Sequence, residues 1–163
     1  MMKSRILMRR ASPRRRGMVY LAALGASMIV MVIGVSAVLA GQLQNRMVDI
    51  GRRAIVAQNA AEAAVEFARL QIKINPGWRS AIANNTWSEN ITFKDATFAI
   101  KLVDETDGNL TNDATQSVRL YGKGQIGSGN SGTAARLLSV ELAPDATGAM
   151  KPVPGSWRQE VLP

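Results

Sequence analysis

Between Gly17 and Arg46 the chain carries no charged residue, and from Met18 to Ala40 it is almost continuously apolar. About 20 such residues are enough to cross a bilayer as a helix. The pattern then narrows to a single stripe. Ile50, Ala54, Ala57, Ala61, Ala64, Ala68 and Ile72 advance by three or four residues, the spacing of one helix face. No proline interrupts Gln42 to Ile74, and Gln58 to Ala68 is rich in strong helix formers. Arg52, Arg53, Glu62, Glu66 and Arg69 fall largely off the stripe, and Pro76-Gly77 ends the helix. A helix continuous from Met18 would be about 85 Å long at 1.5 Å per residue. That exceeds a bilayer, so the second half projects beyond the membrane.

Past Pro76 the period changes from helical to alternating. Phe98, Ile100 and Leu102 alternate with Thr97, Ala99 and Lys101; Val118 and Leu120 alternate with Arg119 and Tyr121; Leu138, Val140 and Leu142 alternate with Ser139 and Glu141. Three runs of period two predict three half-buried strands. Asp104 to Thr115 and the glycine-rich Gly122 to Gly132 read as the turn-forming segments between them. The apolar face of such a meander must be covered, and the alanine stripe is the available cover. Trp78 to Asn90 reads as a connector with Trp78 and Trp87 tucked beneath the domain, and Trp157 as an anchor for the tail. The expected fold is α+β: a long N-terminal helix whose first half spans the membrane, with a small three-stranded antiparallel β-meander packed on its distal half. The divisions are a basic leader (1–17), the transmembrane half of the helix (18–41), its extramembrane half (42–75), connector plus meander (76–143) and an irregular C-terminal tail (144–163).

Charge sets the orientation. Lys3, Arg5, Arg9, Arg10, Arg14, Arg15 and Arg16 precede Gly17 with no acidic residue among them. Positive flanks stay in the cytoplasm, which places the part after the span on the far side. The chain has 20 basic and 12 acidic residues, net +8; without the seven leader charges 13 basic residues face 12 acidic ones. The high pI is therefore a topology signal, and nucleic-acid binding, which needs basic residues across a folded face, is not expected.

The absence of cysteine removes lipoprotein acylation, disulfides and thiol catalysis. The absence of histidine removes the commonest general base and metal ligand. No catalytic pairing assembles from the remaining residues, and the chain is not expected to be an enzyme. Asp104, Asp107 and Asn109 belong to the one oxygen-rich cluster. Calcium takes 6–8 oxygens, so these three are its candidate ligands. The spacing is not that of an EF-hand, a polar hairpin loop accounts for the cluster more simply, and no metal site is assigned. The glycines from Gly122 to Gly132 lack the Lys-Ser/Thr ending of a phosphate loop and read as a hairpin turn.

The N-terminus admits three uses. Val38 and Ala40 hold the small-residue positions of a cleaved secretory signal, although the apolar run is longer than the usual 7–15 residues. A retained single-pass anchor is the second use. In the third, a peptidase cuts after Gly17, on the cytoplasmic side, and the apolar segment becomes the start of the mature protein. A glycine there leaves the backbone free to lie extended in a protease cleft. A twin-arginine signal at Arg15-Arg16 ranks below these, because the apolar segment is more hydrophobic than such signals usually are. Within the span, Ala22 and Ala26, Ala23 and Ser27, and Ala37 and Gly41 are four apart. Small residues at that spacing let helices approach closely in lipid.

The basic leader, Gly17-Met18, the apolar span, the phrase Ala60-Ala61-Glu62-Ala63-Ala64 on a long helix and the terminal meander together resemble a type IV pilin-like protein, with closest similarity to the PilX-like minor pilins. The resemblance covers the chain to about Ile74; beyond that it rests on layout. It implies cleavage between Gly17 and Met18 by a prepilin peptidase, N-methylation of Met18 and assembly of the helix into a filament core. One departure is evident: the fifth mature position, a glutamate in most pilins, is Ala22. The resemblance therefore implies a minor pilin or pseudopilin, a tip, initiating or low-abundance subunit of a type IV pilus or type II secretion filament. Its implied partners are other pilins or pseudopilins, the prepilin peptidase, an inner-membrane assembly platform and the lipid bilayer. Its implied location is the bacterial inner membrane, with the C-terminal domain exported. The alternative is a single-pass membrane-anchored exported binding domain outside any filament.

Overall fold

The computed structural model describes residues 13–127 and 133–161. The expectations for leader residues 1–12, for Gly129 and Gly132, and for the last two residues of the tail lie outside the described residues. The chain divides into two compact units, 1–47 and 48–163. Helix α1, Pro13–Ile74, runs through both. It begins inside the leader, and Pro13 suits a first helical position, where a backbone N–H would have no partner. It ends as the sequence requires. Asn75 N–H still donates to Gln71 (3.0 Å) and Gly77 N–H turns to Asn75 Oδ1 (3.0 Å), while Pro76 cannot continue the ladder.

The second unit is one antiparallel sheet packed against its part of α1. Its elements are a short helix α2 (Trp78–Ala81) and strands β1 (Ile91–Phe93), β2 (Ala96–Val103), β3 (Val118–Ile126), β4 (Ala134–Pro144), β5 (Met150–Pro152) and β6 (Arg158–Glu160). The order is β1-β2-β3-β4-β5, with β6 pairing β4 beside β5. The three expected strands are the long central ones. The other three correct the reading of a three-stranded sheet and of an irregular tail: β1 precedes the meander, and β5 and β6 lie in the tail. Each has three residues, too few to show an alternating pattern. Backbone pairing to a longer neighbour makes them strands. Between β5 and β6, Val153 N–H donates to Glu141 and Ser156 Oγ accepts from Glu141 N–H, so the tail follows the edge of β4.

The register places Phe98, Ile100 and Leu102 opposite Gly124, Gly122 and Leu120, and Gly122, Leu120 and Val118 opposite Leu138, Val140 and Leu142. These residues form the face toward the helix. Ala57, Ala61, Ala64, Val65, Ala68 and Ile72 of α1 are buried against it. The predicted stripe is therefore the buried face from Ala57 onward, whereas Ile50, on the same stripe, is 65 % exposed. Phe67 meets Phe98 edge-on at 5.7 Å between ring centroids, a favourable aromatic geometry.

Two glycines expected in a turn lie inside β3. A Cβ on Gly122 would stand 2.6 Å from the Ala61 carbonyl oxygen, and one on Gly124 would overlap the Ala57 carbonyl and the Ala61 amide. The helix backbone rests directly on β3, and alanine on one side with glycine on the other is the condition for that approach. Gly127 (φ 87°) follows the strand, as a turn glycine would.

Candidate functional site

The first unit offers a bare helical surface. Every residue from Gly17 to Arg52 is exposed, including the processing residues Gly17 and Met18 and the small residues Ala22, Ala26, Ala37 and Gly41. Met18, Leu21, Met31 and Val30 each expose about 70 % or more of their surface. By length and composition, this part of α1 is long and apolar enough to cross a membrane. Its two serine hydroxyls are satisfied within the helix: Ser27 donates to the Leu24 carbonyl and Ser36 to the Val32 carbonyl, each at 2.8 Å. Satisfying polar groups within the helix is what a hydrocarbon environment demands. Gly25 and Gly34, not singled out from the sequence, are also open, with nothing within 4 Å of a Cβ built on either. Gly34, Ala37 and Gly41 are three and four apart and share a face.

In the second unit, Arg79 pins the long loop between β2 and β3. Its guanidinium donates to the carbonyls of Leu110 (3.2 Å), Ala114 (3.3 Å) and Gln116 (2.8 Å), and lies 4.7 Å from the Trp78 ring centroid. Trp78 and Leu110 are buried beneath it. Burial pushes the Arg79 pKa down, against the opposing pull of Asp104 and Asp113. Most of the oxygens considered for calcium are used within this loop, although Asp104 Oδ2 is buried without a hydrogen-bond partner. Asp104 Oδ1 accepts from Thr106 N–H (2.8 Å), Asp107 Oδ1 from Asn109 N–H (2.9 Å) and Asn109 Oδ1 from Thr111 N–H (3.0 Å), while the Asn112 amide donates to Asp107. These are successive Asx turns. Among the described residues, no three His, Cys, Asp or Glu gather as a metal-holding group.

The face of the sheet turned away from α1 carries interleaved cations and rings. Lys101 Nζ lies 4.8 Å from the Tyr121 centroid and 5.2 Å from that of Trp87, and Lys123 Nζ lies 5.2 Å from the same indole. Lys101 pairs across the strands with Tyr121, and Lys123 with the buried Ala99. Trp87 is half-buried on this face and is not tucked beneath the domain as expected. It is held there because the connector follows β2, with Asn85 and Ser88 N–H donating to Leu102 and Ile100 (2.8 Å each). Nearby, Arg119 donates to Glu105 (2.6 Å), which raises the arginine pKa. Burial first, and then Glu105, raise that of Tyr121.

No protein-family profile, curated protein or solved structure matches this chain. The functional reading therefore rests on its own residues. A third surface lies between α1 and β6, an open groove of about 370 Å³ lined by Gln58, Glu62, Glu66, Leu138 and Trp157. Trp157 stays 44 % exposed there and anchors the tail only in part.

The cation–ring cluster was invisible in the linear pattern. Lys101 and Lys123 registered only as polar alternates in strands, and the position of Trp87 depends on pairing between segments more than ten residues apart. Gly25 and Gly34 did leave a signal, being glycines in an uncharged span.

Proposed function

We propose that this chain is a structural subunit, a minor pilin or pseudopilin, of a type IV pilus or type II secretion filament. One observation carries the reading: an uncharged helical segment bare on every side, lined by glycine and alanine, and preceded by a basic leader ending in Gly17. Such a surface finds its partners in lipid and in other helices. Cleavage after Gly17 leaves Met18 as the first residue of the assembled subunit. Ala22, in place of a glutamate, favours a tip, initiating or low-abundance position over the shaft. The role is one of packing; neither a cofactor nor a nucleic acid enters it.

The mature N-terminus decides the matter. Intact mass and N-terminal peptide sequencing from membranes, with and without an active prepilin peptidase, should give a peptidase-dependent start at N-methylated Met18. An uncut leader would make the chain an anchored exported domain, and a start at Gly41 would reduce the apolar segment to a signal peptide.

A further inference from the structure

We propose that the face formed by Trp87, Lys101, Tyr121 and Lys123 is a docking surface for a short acidic segment of a partner protein, taken in extended form with two carboxylates on the two lysines. Among the described residues neither lysine belongs to an ion pair; the carboxylates that do form pairs engage Arg53, Arg69, Arg119 and Lys151. Both ammonium groups are instead placed by rings. Trp87 sits beside both, and Tyr121 and Asn85 Oδ1 (3.0 Å) add to Lys101. Two nitrogens at the same distance from one indole centroid are within about 10 Å of each other. Side chains on one side of an extended strand recur every second residue, about 6.7 Å apart, so alternate aspartates or glutamates fit that interval. The cations are held before any partner arrives, which lowers the ordering cost of binding.

The surroundings favour a short acidic segment over a long polyanion. Residues 48–163 carry 12 Lys and Arg and 12 Asp and Glu, so the unit has no net field to draw in a nucleic acid. Glu105, paired with Arg119, and Glu160, bonded to Ser139, flank Tyr121. A strand with a charge at every step would run into them. The ring faces are also taken by ammonium groups, whereas single-stranded nucleic acids need open faces on which to stack. Two carboxylates placed on Lys101 and Lys123 need neither an open ring face nor a charge at every step. The inference does not depend on assembly into a filament.

The test is a titration of the full chain in detergent with a hexapeptide of alternating threonine and aspartate. The NMR signal of the Trp87 indole N–H, assigned through Trp87→Phe, reports binding. The matching threonine–asparagine peptide and an oligothymidylate serve as comparisons. The acidic peptide should shift the signal and the asparagine peptide should not. The double variant Lys101→Gln/Lys123→Gln should bind about tenfold more weakly, the loss expected of two surface ion pairs. Lys73→Gln should leave binding unchanged, and Lys101→Arg/Lys123→Arg should retain it, so a poorly folded glutamine variant leaves the test intact. No shift with the acidic peptide, an equal shift with the asparagine peptide, or stronger binding of the oligothymidylate would overturn the proposal.

Discussion

Gly124 and Gly51 show how one substitution takes opposite signs in the same chain. Gly124→Ala drives a methyl into the backbone of α1 at Ala57 and Ala61, and overpacking of this kind costs about 1–3 kcal/mol. Gly51 lies in α1 with nothing within 4 Å of a Cβ built on it, so Gly51→Ala should instead stabilise the helix by up to about 1 kcal/mol. Chemical denaturation of the full chain in detergent, followed by the signal of the sheet, should show the midpoint falling for the first. For the second it should hold or rise. Equal effects at the two positions would mean that α1 does not rest on β3. Arg79 is the other single residue with a large share. Arg79→Met removes the donor to three loop carbonyls. It should cost about 1–3 kcal/mol, with hydrogen exchange accelerating first in residues 104–116.

At the scale of elements, one carboxylate organises the turn of the β4–β5 hairpin, beside its backbone pairing. Asp145 accepts from Thr147 N–H and Oγ1 and from Ala149 N–H through Oδ1, and pairs with Lys151 Nζ through Oδ2 at 2.7 Å. Lys151 first, and then Thr147, hold its pKa well below the ordinary value of 3.8. A carboxyl group depressed in the folded state stabilises it fully above the unfolded pKa and loses that contribution as pH falls toward the folded one. The hairpin should therefore loosen only below about pH 4. Asp145→Asn should flatten the pH dependence of the thermal midpoint between about pH 5 and 2; an unchanged slope would assign that dependence to other carboxylates. Asp113, held down by the Thr115 hydroxyl and amide, acts in the same direction.

For the whole molecule, the apolar surface before Gln42 is the dominant fact, since nothing among the described residues covers it. An arginine near the middle of a spanning helix costs about 2.5–3.5 kcal/mol on insertion scales. Val30→Arg combined with Val32→Arg should thus move the chain from the carbonate-resistant membrane fraction to the soluble or aggregated one. Glu62→Arg, on the exposed side of α1 in the second unit, should not. Retention of the double variant in membranes would remove the spanning reading.

The sequence by itself determined the elements whose pattern is local and long. The uncharged run, the alanine stripe, the helix stop at Pro76-Gly77 and the three long strands were all legible, because periodicity over many residues reports which face is buried. Tertiary structure alone decided the rest. β1, β5 and β6 are too short for a period and exist through pairing with β2 and β4. Gly122 and Gly124 read as turn residues until the helix is seen lying on them, since a glycine run looks alike whether the chain must bend or a neighbour must come close. Trp87 and the two lysines meet because residues distant along the chain are set side by side in the sheet, and side-chain proximity of that kind leaves no mark on the local pattern.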